Sequence, residues 1–196
     1  MAISVPKTGS TTLHYALMAG LDQPFHTRSE APDIYHMTAS DLRMIMGPGA
    51  FGDYYCFGVV RNPYDRLVSL FHDFHDQRGC IRTDCFADFL RYELVAWLED
   101  VHFKPQTFFL SDTHGHLIPS EVFRFEEGIA TIVSTLGSRM GFVPKQIGHA
   151  RRSDRRHWQS YYGSADLRAI VQEHYAEDFR VFGYALDEDL TNTPAA

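Results

Sequence analysis

Apolar positions along this chain fall into two patterns, short continuous runs and longer stretches with apolar residues three or four apart. These are the signatures of buried strands and amphipathic helices. The clearest run is residues 54–60 (YYCFGVV), continuous and rich in aromatic and β-branched residues, as expected of a parallel strand covered on both faces. Residues 2–5 predict a shorter buried strand, and residues 33–36, 107–110 and 121–125 are further short candidates. Helices are predicted over residues 11–19, 39–46, 62 to about 77, 84–98, 127–136 and 165–179. Gly47-Pro48-Gly49 punctuates the end of the second, and Asn62-Pro63 opens the third as an N-cap followed by Pro at the first helical position. Strands alternating with helices predict an α/β fold, a three-layer sandwich with a mainly parallel central sheet flanked by helices, formed as one domain from residues 1–196.

The composition narrows the partners. Hydrophobic residues make up 44% and charged residues 22% of 196, ordinary for a globular domain. The formal charge of -7 gives a field that attracts neither nucleic acid nor an anionic membrane, so an anionic ligand needs a local cluster of cations. No apolar run approaches the ~20 residues a membrane span requires, and the opening MAISVPKTGS lacks the basic and apolar regions of a signal peptide. Three cysteines without metal-ligand spacing fit a reducing compartment, so the expected location is the cytoplasm.

Two loops carry candidate chemistry. VPKTGSTTL joins the first strand to the first helix, a place where backbone N–H groups and the positive helix end hold phosphate. Lys7 adds a cation, Gly9 permits close approach, and Ser10, Thr11 and Thr12 offer hydroxyls. Read without a ligand, the same hydroxyls merely cap a helix. The residue order argues against a Walker A loop, in which Lys follows the last Gly; here Lys7 precedes Gly9. The 54–60 strand runs into Arg61, where a nucleotide hydrolase typically carries a metal-binding Asp. The pattern therefore predicts an anion site with no metal. Ser69, eight residues past Arg61, can share a face with that end of its helix and grip a second phosphate; alternatively Arg61 pairs with Asp65 and Ser69 only fills the helix.

Together these segments resemble the sulfotransferase superfamily, in particular the carbohydrate-type branch with the heparan sulfate 2-O-sulfotransferases and bacterial homologues. Pro6-Lys7-Thr8-Gly9-Ser10-Thr11-Thr12 is similar to its 5′-phosphosulfate loop, and Val60-Arg61-Asn62-Pro63 with Asp65-Arg66-Leu67-Val68-Ser69 to its 3′-phosphate motif. Softer likeness lies in His102-Phe103-Lys104-Pro105-Gln106, in Arg124-Phe125-Glu126 and in the 175–184 segment. The resemblance implies a P-loop NTPase-like fold and the donor 3′-phosphoadenosine 5′-phosphosulfate (PAPS). By position, Lys7 to Thr12 would hold the 5′-phosphosulfate, Arg61 and Ser69 the 3′-phosphate, and the basic loop with Arg152 and Ser153 would add to the donor site. In that loop Arg151 stands where similar proteins often place an Asn.

In-line sulfuryl transfer asks the protein for positioning and for stabilisation of charge on the leaving oxygen, which assigns Lys7 to the bridging oxygen. The acceptor hydroxyl, by resemblance that of a carbohydrate or glycolipid, needs a general base. Tyr35-His36-Met37-Thr38-Ala39 is similar to the segment holding the base in 2-O-sulfotransferases, which makes His36 the first candidate and His102 the second. Two other readings stand beside this one, a P-loop-type kinase needing Mg²⁺ and ATP, and a catalytically silent nucleotide-binding protein.

Overall fold

A computed structural model describes residues 1–23, 36–145 and 155–186. Along the chain, β1 (Ala2–Ile3) leads into α1 (Ser10–Gly20); α2 (Ala39–Met46) and the one-turn α3 (Pro48–Gly52) precede β2 (Phe57–Val60). α4 (Pro63–His72) runs on into a π-helical turn, Asp73–Gln77, and α5 (Phe86–Asp88), a second π-turn at Phe89–Glu93 and α6 (Leu94–Trp97) follow one another directly. Then come α7 (Gln106–Leu110), β3 (Glu121–Arg124), a 3-10 turn at Phe125–Glu127, α8 (Ile129–Met140), α9 (Ala165–His174) and α10 (Ala176–Phe182). Among the described residues, no helix is long and apolar enough to cross a membrane.

The described residues gather into two compact units. The first takes in those of Met1–Arg61 and Gln106–Arg152, the second those of Asn62–Pro105 and Ser153–Ala196.

The first unit is built on a three-stranded parallel sheet in the order β1-β2-β3. Ala2 and Ile3 pair with Phe57 and Gly58, and Phe57 to Val60 pair with Glu121 to Arg124. Every residue of β2 is buried, as its central place demands. Successive side chains leave opposite faces. Phe57, Val59 and Phe123 meet Leu13, Ala16 and Leu17 of α1 and Ile132, Val133 and Leu136 of α8 in one core. On the other face Leu110 of α7 closes over Gly58 so tightly that a Cβ there would lie 2.6 Å from Leu110 Cδ2. α2 packs beside α7. It starts where Thr38 and Asp41 form a reciprocal capping box, Asp41 N–H donating to Thr38 Oγ1 at 3.0 Å and Thr38 N–H to Asp41 Oδ2 at 3.1 Å. Helices on both faces of a parallel sheet make this the α/β layering expected from the chain pattern, consistent with a P-loop-like fold.

The second unit is aromatic. Tyr64 packs edge-on against Tyr162 and Phe179, with centroids 4.9 and 5.0 Å away, and stacks on Trp158. Asn62 caps α4 through its Oδ1, which accepts from Tyr64 N–H at 3.0 Å. Arg66 is buried to 1% and donates from Nη2 to the carbonyls of His102 and Lys104 at 2.8 and 2.9 Å. Burial holds the phenols of Tyr162 and Tyr175 far above their usual range, so both stay protonated donors, to the carbonyls of Tyr64 and Phe103. Cys80 and Cys85 are exposed free thiols.

Some elements differ from the chain pattern. Residues 107–110 are helical, not a strand: Phe109 and Leu110 are fully buried, and an apolar run this short suits either state. Residues 165–179 form two helices, because Tyr175 leaves the helical region (φ -121°, ψ 24°) where its hydroxyl reaches Phe103. The strand candidate at residues 33–36 lies outside the described residues except for His36, which sits in a turn.

Candidate active site

β1 and β2 are parallel neighbours, so the loops that follow them leave the sheet on the same edge, where α/β sheets hold ligands. After β1, the backbone tightens at once. Thr8, almost fully buried, donates from Oγ1 to the carbonyl of Val5 at 3.0 Å. Lys7 takes a left-handed φ of 64°, unusual for a residue with a side chain and the kind of strain that collects at functional sites. Gly9 follows with φ 79° and forms the N-cap of α1. A Cβ on Gly9 would meet Phe125 Cε2 at 2.8 Å and Ile129 Cδ1 at 3.0 Å, so both conformation and space require glycine here.

The N-terminus of α1 has no side-chain cap and no acidic residue in its first turn. Its leading N–H groups and the positive end of the helix dipole stand where the sequence also places Lys7 and the hydroxyl-bearing residues Ser10, Thr11 and Thr12, residue types rich in donors. That chemistry fits a phosphate or sulfate group.

Arg61 follows β2. Its main chain is held on both sides by Gln106, whose side chain is fully buried. Arg61 N–H donates to Gln106 Oε1, and Gln106 Nε2 donates to the Arg61 carbonyl, both at 2.8 Å. The guanidinium then turns toward the first loop: Nη1 donates to the Lys7 carbonyl at 3.1 Å, and Cζ lies 4.3 Å from the centroid of the Phe125 ring. Phe125 begins the turn after β3 and is the same ring that covers Gly9. The ends of all three strands thus contribute to one constellation.

His36 stands beside the start of the first loop, its Nδ1 3.0 Å from the carbonyl of Ser4 and its ring edge-on to Phe109. A carbonyl only accepts, so Nδ1 carries the proton and, in the neutral ring, the lone pair lies on Nε2.

The remaining sequence candidates belong to the second unit or fall outside the described residues. Ser69 is a buried residue of α4 in the second unit. His102 also belongs to the second unit; its Nδ1 lies 2.8 Å from Asp100 Oδ1 and its Nε2 3.5 Å from Arg78 Nη2, so both ring nitrogens are engaged. Asp65 pairs with Arg155. Arg152 and Ser153 lie outside the described residues, as does Arg151. Two contributors, Gln106 and Phe125, stand in the sequence only within the softer family-like segments, with no site role assigned to either. The signal for Gln106 was a polar residue at the head of the apolar stretch Thr107-Phe108-Phe109-Leu110, and for Phe125 an aromatic residue closing a strand. Among the described residues, no group of three His, Cys, Asp or Glu is arranged to hold a metal ion.

Comparison with protein families matches the chain to the sulfotransferase family over residues 1–185. Comparison with curated proteins and with solved structures found no match.

Proposed function

The chain belongs to the sulfotransferase family, and on that premise we propose that it moves a sulfuryl group from PAPS to a hydroxyl of a carbohydrate or glycolipid. The observation that carries the donor reading is the direct link between the two anion-binding elements, Arg61 Nη1 to the Lys7 carbonyl at 3.1 Å. Lys7 to Thr12 and Arg61 belong to one cluster of donors at one sheet edge, which suits a nucleotide with a phosphate at each end of its ribose. PAPS supplies a sulfuryl group already activated on a phosphate leaving group.

The chain's residues do the rest. The N–H groups at the head of α1 hold the 5′ end, and the Lys7 ammonium stabilises charge on the leaving oxygen. Arg61 reads the 3′-phosphate as a charge-assisted donor. Ser69, and Arg152 with Ser153, complete the donor contacts. His36, oriented by the Ser4 carbonyl through Nδ1, takes the acceptor proton at Nε2. His102, engaged by Asp100 and Arg78, serves as a bracket for its loop.

The test is release of adenosine 3′,5′-bisphosphate from PAPS in the presence of a panel of sugar and glycolipid acceptors. Wild type is expected to turn over with EDTA present. Lys7→Ala and His36→Ala are each expected to lose about a hundredfold or more, the usual scale for a removed charge stabiliser or general base. Turnover that His36→Ala leaves intact would remove that residue from the chemistry, and consumption of Mg-ATP instead of PAPS would replace the donor.

A further inference from the structure

Arg61, the proposed reader of the 3′-phosphate, is also built into the first loop. Its Nη1 donates to the Lys7 carbonyl at 3.1 Å, and its guanidinium lies against Phe125. Lys7 holds a left-handed φ of 64°, which a residue with a Cβ adopts only when its surroundings enforce it. On the following side the loop is tied by Thr8 to the Val5 carbonyl, and Gly9 is covered by Phe125. The Lys7 peptide itself is turned toward Arg61. A guanidinium carries its N–H donors in a rigid plane, so one group can bond a carbonyl from an edge while its face rests on a ring.

We propose that Arg61 is a strut that holds the Lys7 peptide in its left-handed turn, so that the residue reading the far phosphate is also a positioning residue for the loop that grips the near one. This rests on the nucleotide reading given above. Its consequence is specific: losing Arg61 damages binding of ligands that have no 3′-phosphate at all.

Calorimetric titration with adenosine 3′,5′-bisphosphate and with adenosine 5′-monophosphate separates the two roles. For Arg61→Ala, affinity is expected to fall for both ligands, by about tenfold or more for the monophosphate, the scale of one lost charge-assisted contact. Arg61→Lys keeps the charge without the planar fork and is expected to leave the monophosphate loss largely in place. Phe125→Leu removes the ring and neither charge, and is expected to weaken the monophosphate several-fold.

Monophosphate affinity unchanged in Arg61→Ala, or fully restored in Arg61→Lys, overturns the strut while leaving the donor reading intact. Wild type that binds neither ligand overturns the donor reading and the strut with it. Thermal unfolding of each ligand-free variant confirms that folded protein is being titrated. Should Arg61→Ala not fold, the monophosphate affinity of Phe125→Leu decides by the same criterion.

Discussion

Replacing Gln106 by Leu removes two hydrogen bonds and almost no volume. Both bonds run to the main chain of Arg61, both are 2.8 Å long, and both are buried. Leu cannot reproduce either, so an N–H and a C=O are left without their partner in a place water does not reach. Each such orphaned group costs about 1–3 kcal/mol, and partial relaxation brings the pair to about 3–4 kcal/mol. For a chain of this length one kcal/mol shifts the melting temperature by roughly 2–4 °C, so scanning calorimetry should record a fall of about 6–16 °C. Affinity for adenosine 3′,5′-bisphosphate should fall too, since the main chain that aims Arg61 is released. Gln106→Glu supplies an internal check. Its carboxylate still accepts from the Arg61 N–H but faces the Arg61 carbonyl without a proton, which raises its pKa in the folded state. A raised folded pKa gives stability that is present below the unfolded value and lost as pH rises. Gln106→Glu should therefore approach wild type in mild acid and fall away from it toward pH 8. Gln106→Leu melting within about 2 °C of wild type, a shift of about 0.5–1 kcal/mol, would refute the reasoning.

Gly9→Ala combines a left-handed φ of 79° with a Cβ 2.8 Å from Phe125, so it should cost about 2–4 kcal/mol in thermal unfolding and displace the ring beneath Arg61. Arg66→Ala strands the carbonyls of His102 and Lys104 and empties a site of 1% exposure, and should destabilise by about 3–5 kcal/mol in denaturant unfolding. His75 is bonded to Asp76 and Asp84, which raise its pKa above the ordinary 6.5. Its contribution is then full below 6.5 and fades as pH rises through the raised value, so wild type and Asp84→Asn should differ in melting temperature at pH 6 and converge toward pH 9.

Much of the fold was legible because parallel strands and amphipathic helices write opposite periodicities. The β2 run is buried on both faces, and the start of α4 follows from Asn62-Pro63, whose cap and fixed φ are local properties. Residues 107–110 were not legible: four apolar residues carry no period, and their helix follows from packing Leu110 over Gly58 across the sheet. The break at Tyr175 was hidden for the same reason, since it answers to a hydroxyl bond with Phe103, 72 residues away in the chain. At the site, Lys7, Gly9 and Arg61 could be named from loop chemistry alone. The bond from Arg61 to Lys7 and the clasp by Gln106 could not, because they join residues 54 and 45 positions apart.

The central claim is that the Lys7 loop and Arg61 hold opposite ends of one nucleotide. A crystal structure of the protein with adenosine 3′,5′-bisphosphate tests it most directly. The 5′-phosphate should lie on the backbone N–H groups of Gly9 to Thr11 and the 3′-phosphate against the Arg61 guanidinium. A nucleotide bound away from the head of α1, or held there with its 3′-phosphate out of reach of Arg61, would contradict the account.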